Sequence, residues 1–122
     1  SCTVDCVGNG DYARIRLVRN GMNAIFGPDA FIDRDSIRIL HPDHNLPTYV
    51  VIYVDSTQSL TLYLTPYQPL ILASPGRMDT LTCTTEVTDM NDGCKSYKLS
   101  SVQWNGQEIC TDECGHLIEI EI

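Results

Sequence analysis

Positive charge is scarce in this sequence: eight lysines and arginines among 122 residues face sixteen aspartates and glutamates, for a formal charge of −8. Phosphate-backbone binding draws its affinity from Lys and Arg displacing condensed counterions, so nucleic acid is disfavoured as a ligand. Long apolar runs are missing too. No segment approaches the roughly 18–20 apolar residues of a spanning helix, which argues against membrane insertion. The chain also lacks an Asn-x-Ser/Thr acceptor, a nucleophile elbow, an H-E-x-x-H pair and a Gly-rich phosphate loop. Without such a handle the expectation is a non-enzyme with no catalytic residue and no cofactor, in which His41, His44 and His116 are ordinary polar positions.

Six cysteines are present, at Cys2, Cys6, Cys83, Cys94, Cys110 and Cys114. An even number in a small chain reads as a disulfide framework and places the protein in an oxidising compartment, secreted or on an extracellular surface. The opening Ser1-Cys2 has no signal-peptide pattern, as expected of a mature or excised form. Cys83 and Cys94 flank a stretch whose end, Thr88 to Gly93, is turn-rich, so they are expected to bridge neighbouring strands. Cys2/Cys6 and Cys110/Cys114 share one spacing, and cross-pairing them would staple the two ends of the chain through a long loop.

Between glycine and proline breaks the apolar residues alternate with period two, and no long amphipathic helix is visible. Tyr12 to Arg19 puts Ala13, Ile15 and Leu17 on one face, and Asn20-Gly21 then supplies a type I′ turn. Pairing Arg19 with Met22 sets Leu17 against Ala24 and Ile15 against Phe26. A second such hairpin is expected around Asn105-Gly106. A central hairpin joins Tyr49–Val54 to Leu60–Thr65 across Asp55 to Ser59, with Val54 opposite Leu60. That register sends Val50, Ile52 and Val54 to the core and gathers Tyr49, Tyr53, Thr61, Tyr63 and Thr65 on the other face, the candidate binding surface. The closing Leu117 to Ile122 alternates strictly and should dock in a sheet, where Glu119 and Glu121 can lie opposite Arg14 and Arg16.

Charge is unevenly shared. Residues 1–78 carry seven acids and six arginines, whereas residues 79–122 carry nine acids and two lysines, an acidic face that aids solubility. Two metal readings fail on spacing. Cys110, Cys114 and His116 with His41 and His44 lack a zinc-knuckle pattern, and Asp89 to Gly93 misses the EF-hand positions, while Asp29, Asp33 and Asp35 form a loop cluster. No metal is expected.

Cys6 followed by Tyr12 to Leu17, with Ser36 to Ile39 further on, resembles the opening strands of zona-pellucida N-type modules of egg coats and extracellular filaments. The likeness covers less than a third of the chain, and the cysteine-free stretch from Val7 to Thr82 departs from that family's disulfide pattern, so no functional residue is carried over. The expectation is all-β: residues 1–122 as one disulfide-stabilised antiparallel β-sandwich of about eight strands, immunoglobulin-like or related. Its expected role is a non-catalytic extracellular recognition or assembly module of a cell surface, matrix, coat or virion, acting in adhesion or as a structural protein and binding a protein partner or itself. The competing expectation is a small secreted effector, such as an inhibitor or a carbohydrate-binding lectin.

Overall fold

A computed structural model of the chain describes residues 10–40, 51–112 and 114–122. Ten strands follow in order: β1 (Asp11–Arg19), β2 (Met22–Asn23), β3 (Arg38–Leu40), β4 (Ile52–Val54), β5 (Ser59–Leu64), β6 (Leu70–Ser74), β7 (Arg77–Asp89), β8 (Lys95–Trp104), β9 (Gln107–Thr111) and β10 (Ile118–Glu121). One 3-10 turn covers Arg34–Ser36, and no α-helix occurs among the described residues. The strands form two sheets. The first runs β10-β1-β5-β4 with β2 also on β1, and the second runs β3-β6-β7-β8-β9. The count exceeds the expected eight because β2, β3 and β4 are short pieces of two or three residues.

Among the described residues every pairing is antiparallel except one. β10 lies parallel to β1, with Ile15 opposite Ile118, Arg16 opposite Glu119 and Leu17 opposite Ile120. Parallel neighbours require a crossover, and here four of the five strands of the second sheet lie between β5 and β10 in the chain. The alternation explains why β10 docks: Ile118 and Ile120 are buried while Glu119 and Glu121 are exposed. Both sheets contribute to one apolar cluster, with Ala13, Ile15, Leu60 and Leu62 from the first and Leu72, Leu81, Leu99 and Val102 from the second. Leu99 and Val102 are three residues apart, so a regular strand would point them to opposite faces. The ladder shift between Thr84 and Thr85, which leaves Ser100 as the extra residue of β8, brings both inward. Asp11 adds a polar tie between sheets, accepting a hydrogen bond from the Leu99 amide at 3.1 Å.

Both Asn-Gly turns form. Asn20 and Gly21 have φ of 52° and 78°, Asn105 and Gly106 of 51° and 83°, the positive values a type I′ turn requires. Arg19 faces Met22, and the Ala24 amide donates to the Leu17 carbonyl at 2.8 Å, as expected. The hairpin stops there, and Ile15 opposes Leu60 of β5 rather than Phe26. The cause is Asn23, whose Oδ1 accepts from the amides of Ile25 and Phe26 and turns the chain away.

The central hairpin carries a correction. Its loop is Asp55 to Gln58, closed by Gln58 at a φ of 50°, and Val54 faces Ser59 while Tyr53 faces Leu60. A slip of one residue exchanges the two faces of a strand. Ile52 is therefore 49% exposed, whereas Tyr53 packs against the core.

The disulfide expectations are corrected as well. Cys83 is a free, buried thiol, so the Cys83–Cys94 bridge does not exist. Cys83 lies opposite Val102, and Cys94 lies beyond the Asp89–Lys95 end of the same hairpin, about 20 Å along the ladder at strand rise. Cys94 is disulfide-bonded to a partner outside the described residues. Cys110 pairs with Cys114 across a sequence separation of four, which removes both from any cross-link to the N-terminal cysteines. Their Cα atoms come within 5.5 Å because the chain reverses between β9 and β10, with Asp112 at a φ of 62° and its amide on the Ser100 carbonyl. Cys2 and Cys6 lie outside the described residues.

Leu81 is fully buried where β6, β7 and β8 meet. Leu81→Ala is expected to lower unfolding free energy by about 3 kcal/mol, while Val87→Ala at an exposed position costs about 0.5 kcal/mol or less. Urea denaturation of the two variants checks this.

Candidate binding surface

The outer face of the first sheet is built from residues of β1, β5 and β4 that the core leaves behind. Tyr12 sits opposite Tyr63, and Arg14 and Ile52 flank Thr61 on either side. Thr65 follows on the same parity, in an isolated bridge with Gln68. Of the five residues expected on one face, Thr61, Tyr63 and Thr65 lie here. Tyr53 faces inward, and Tyr49 lies outside the described residues. The structure adds Tyr12, 55% exposed, and Ile52. Tyr12 was legible as an outward residue of its own strand, but its apposition to Tyr63 required knowing that β1 pairs with β5.

The rings of Tyr12 and Tyr63 meet edge to face at 5.1 Å between centroids, a favoured aromatic geometry. The Gly10 amide donates to the Tyr63 hydroxyl at 2.8 Å and anchors that ring. Only glycine fits at this approach, since a Cβ on Gly10 would stand 2.1 Å from the Leu64 carbonyl oxygen. Arg14 Nη2 donates to the Gly115 carbonyl at 2.7 Å, and Arg16 pairs with Glu119 at 3.4 Å and donates to the Thr57 carbonyl. The expected charge pairing thus occurs within the molecule for Arg16 and Glu119. It orders the rim of the surface, since a solvent-facing pair of this kind adds under about 1 kcal/mol to stability.

Tyr53 serves packing instead. Its ring meets Phe26 at 6.3 Å, Arg34 lies 5.5 Å from its centroid, and its hydroxyl donates to the Arg34 carbonyl, fixing the 3-10 turn. Burial raises its pKa above 10.0, and the Arg34 charge acts in the opposite direction. Trp104, beside the second Asn-Gly turn, is buried at 7% exposure and closes the core rather than displaying its ring.

Four of the groups weighed as metal ligands are otherwise engaged. Cys110 and Cys114 are joined as a disulfide and are not thiolates. Asp33 Oδ1 caps the 3-10 turn through the Asp35 amide, and Asp92 Oδ1 accepts from the Cys94 amide. No group of three His, Cys, Asp or Glu side chains fit to hold a metal occurs among the described residues. His41 and His44 lie outside them.

A second surface was not foreseen. β7 and β8 outrun their neighbours, since β6 reaches only Leu81 and β9 only Ser101. Residues 85–89 and 95–99 therefore form a two-stranded ribbon beyond the sheet, with Val87 in the ribbon and Met90 in its closing turn each 50% exposed. No protein-family model, curated protein or solved structure matches the chain. The chemistry of these surfaces carries the functional reading.

Cys83 is the one free thiol among the described residues, and burial, with the Asp11 carboxylate second, pushes its pKa to about 11. At pH 8 it is almost wholly protonated and therefore a poor nucleophile. Native protein at that pH is expected to leave Cys83 unmodified by iodoacetamide, and denatured protein to alkylate it. Peptide mass mapping checks this, and fast modification of Cys83 in the native state would contradict the burial.

Proposed function

We propose that this chain is a non-catalytic extracellular recognition or assembly module whose two sheets form a disulfide-stabilised β-sandwich, immunoglobulin-like or related. It binds a protein partner, including a second copy of itself, through the outer face of the first sheet. The observation that carries this reading is the row of Tyr12 and Tyr63 beside Ile52, with Tyr12 and Ile52 about half exposed on the outer sheet face. Tyrosines bring large apolar area, a hydroxyl and little rotamer entropy to lose, and they are enriched at protein interfaces. Arg14 and the Arg16–Glu119 pair supply a polar rim. The disulfides accord with an extracellular location, because cytosolic thiols stay reduced.

Light scattering over a concentration series, with and without reductant, tests the reading. The expected result is a concentration-dependent oligomer that Tyr12→Glu abolishes without changing thermal unfolding. A 13.6 kDa monomer throughout would contradict self-assembly and favour a small secreted effector.

A further inference from the structure

The core-facing rows of both sheets end in arginine at the same end of the molecule. In β1 the inward series Ala13, Ile15, Leu17 is followed on the same parity by Arg19. In β7 the inward series read backwards, Cys83, Leu81, Asp79, arrives at Arg77. The two guanidinium side chains line one open cavity of about 250 Å³, together with Phe31, Ile32, Ser74 and Pro75. No acidic side chain lines it, in a chain where acids outnumber bases two to one.

Each arginine is held from behind. Arg77 Nε and Nη2 donate to the two carboxylate oxygens of Asp79 at 2.8 and 3.2 Å, and Asn105 Nδ2 adds a third bond to that carboxylate at 2.9 Å. Asp79 is 96% removed from solvent, its residue being only 4% exposed. Arg19 Nε donates to the Ile122 carbonyl at 3.2 Å, and its guanidinium lies 4.1 Å from the centroid of the Phe31 ring. Phe31 is fixed in turn, because its amide and that of Ile32 both donate to the Ala24 carbonyl at 2.9 Å. Only Asp79 of this pair is buried, since about a third of the Arg77 side chain is exposed, and the paired carboxylate holds that guanidinium in place while leaving part of it open to a ligand.

We infer that this cavity binds a sugar unit bearing a carboxylate or sulfate, with its oxyanion taken by Arg19 and Arg77. Two oriented guanidinium groups suit an oxyanion, since their forked donors match its geometry and charge-assisted bonds are the strong ones. Arg19 uses Nε on the Ile122 main-chain oxygen, and its two Nη groups make no hydrogen bond among the described residues, which leaves those donors for a ligand. The volume admits a single ring rather than a long ligand. The lining joins the apolar Phe31, Ile32 and Pro75 to the polar Ser74, the mixture that an amphipathic ring requires. The cavity is separate from the Tyr12–Tyr63 surface, so either site stands without the other.

Calorimetric titration of the full chain with a glucuronate-containing disaccharide, a sulfated disaccharide, a neutral disaccharide and inorganic sulfate tests the inference. Binding of at least one of the two anionic disaccharides is expected, weakened about tenfold or more by Arg19→Gln and unchanged by Arg38→Gln on the exposed side of β3. Arg77→Gln also strands a buried carboxylate, so Arg19→Gln carries the comparison, with thermal unfolding as the check on its fold. Absence of binding by both anionic sugars, equal binding of the neutral disaccharide or of inorganic sulfate, or an equal loss in Arg38→Gln would each overturn it.

Discussion

The rest of the structure depends on β1. It pairs along one side with β10 and along the other with β5 and β2, so three of the other four strands of the first sheet are hydrogen-bonded to it directly. Its inward residues Ala13 and Ile15 are fully buried and Leu17 nearly so, and the one amide tie described between the sheets runs from Asp11 at its start to Leu99. Full burial of a side chain such as Ile15 or Leu60 contributes roughly 1.5–3 kcal/mol, and a shift of β1 by one residue would expose the whole inward row at once. The outward row depends on the same register. Tyr12 meets Tyr63, Arg14 meets Thr61 and Arg16 meets Glu119 only because β1 is held in place by what lies beneath it.

Much of this was written in local pattern. The alternation of β1, β5 and β10 and the two Asn-Gly turns are properties of a few neighbouring residues, and each appears where the pattern puts it. Features that depend on distant parts of the chain were less legible. Nothing in Leu117 to Ile122 says that it pairs parallel to a strand about a hundred residues earlier, although its apolar face required some partner. The β4–β5 register turned on whether the loop held four or five residues. Gln58 decided it by taking a left-handed conformation, which no composition rule assigns to glutamine. That single rung moved Tyr53 from the expected surface to the core side and brought Ile52 out. Asn23 ended a hairpin early through its side chain, a signal present in its residue type but read as part of a strand.

The cysteines show the same division. Shared spacing suggested that Cys2/Cys6 and Cys110/Cys114 staple the two ends of the chain. The backbone instead folds Cys110 back on Cys114, and β10 ties the C-terminal segment to β1 by hydrogen bonds. Cys83 had the alternation of an inward strand residue and behaves as one, a small apolar group opposite Val102. Polar residues in inward positions are more informative. Asp79 breaks the apolar row of β7 and engages Arg77 and Asn105, joining the β6–β7 turn to the β8–β9 turn. The outer aromatic row and the arginine-lined cavity thus have one origin, a strand pattern kept regular through the core and departed from at its edges.

Native-state hydrogen exchange tests the organising role of β1 most directly. The amides of Ile15 and Leu17 in β1, with those of Leu62 in β5 and Ile120 in β10, are predicted to exchange together, only through global unfolding and with its full free energy. Exchange of the β1 amides at the rates of the short edge strands β3 and β4, while β7 and β8 stay protected, would contradict the account.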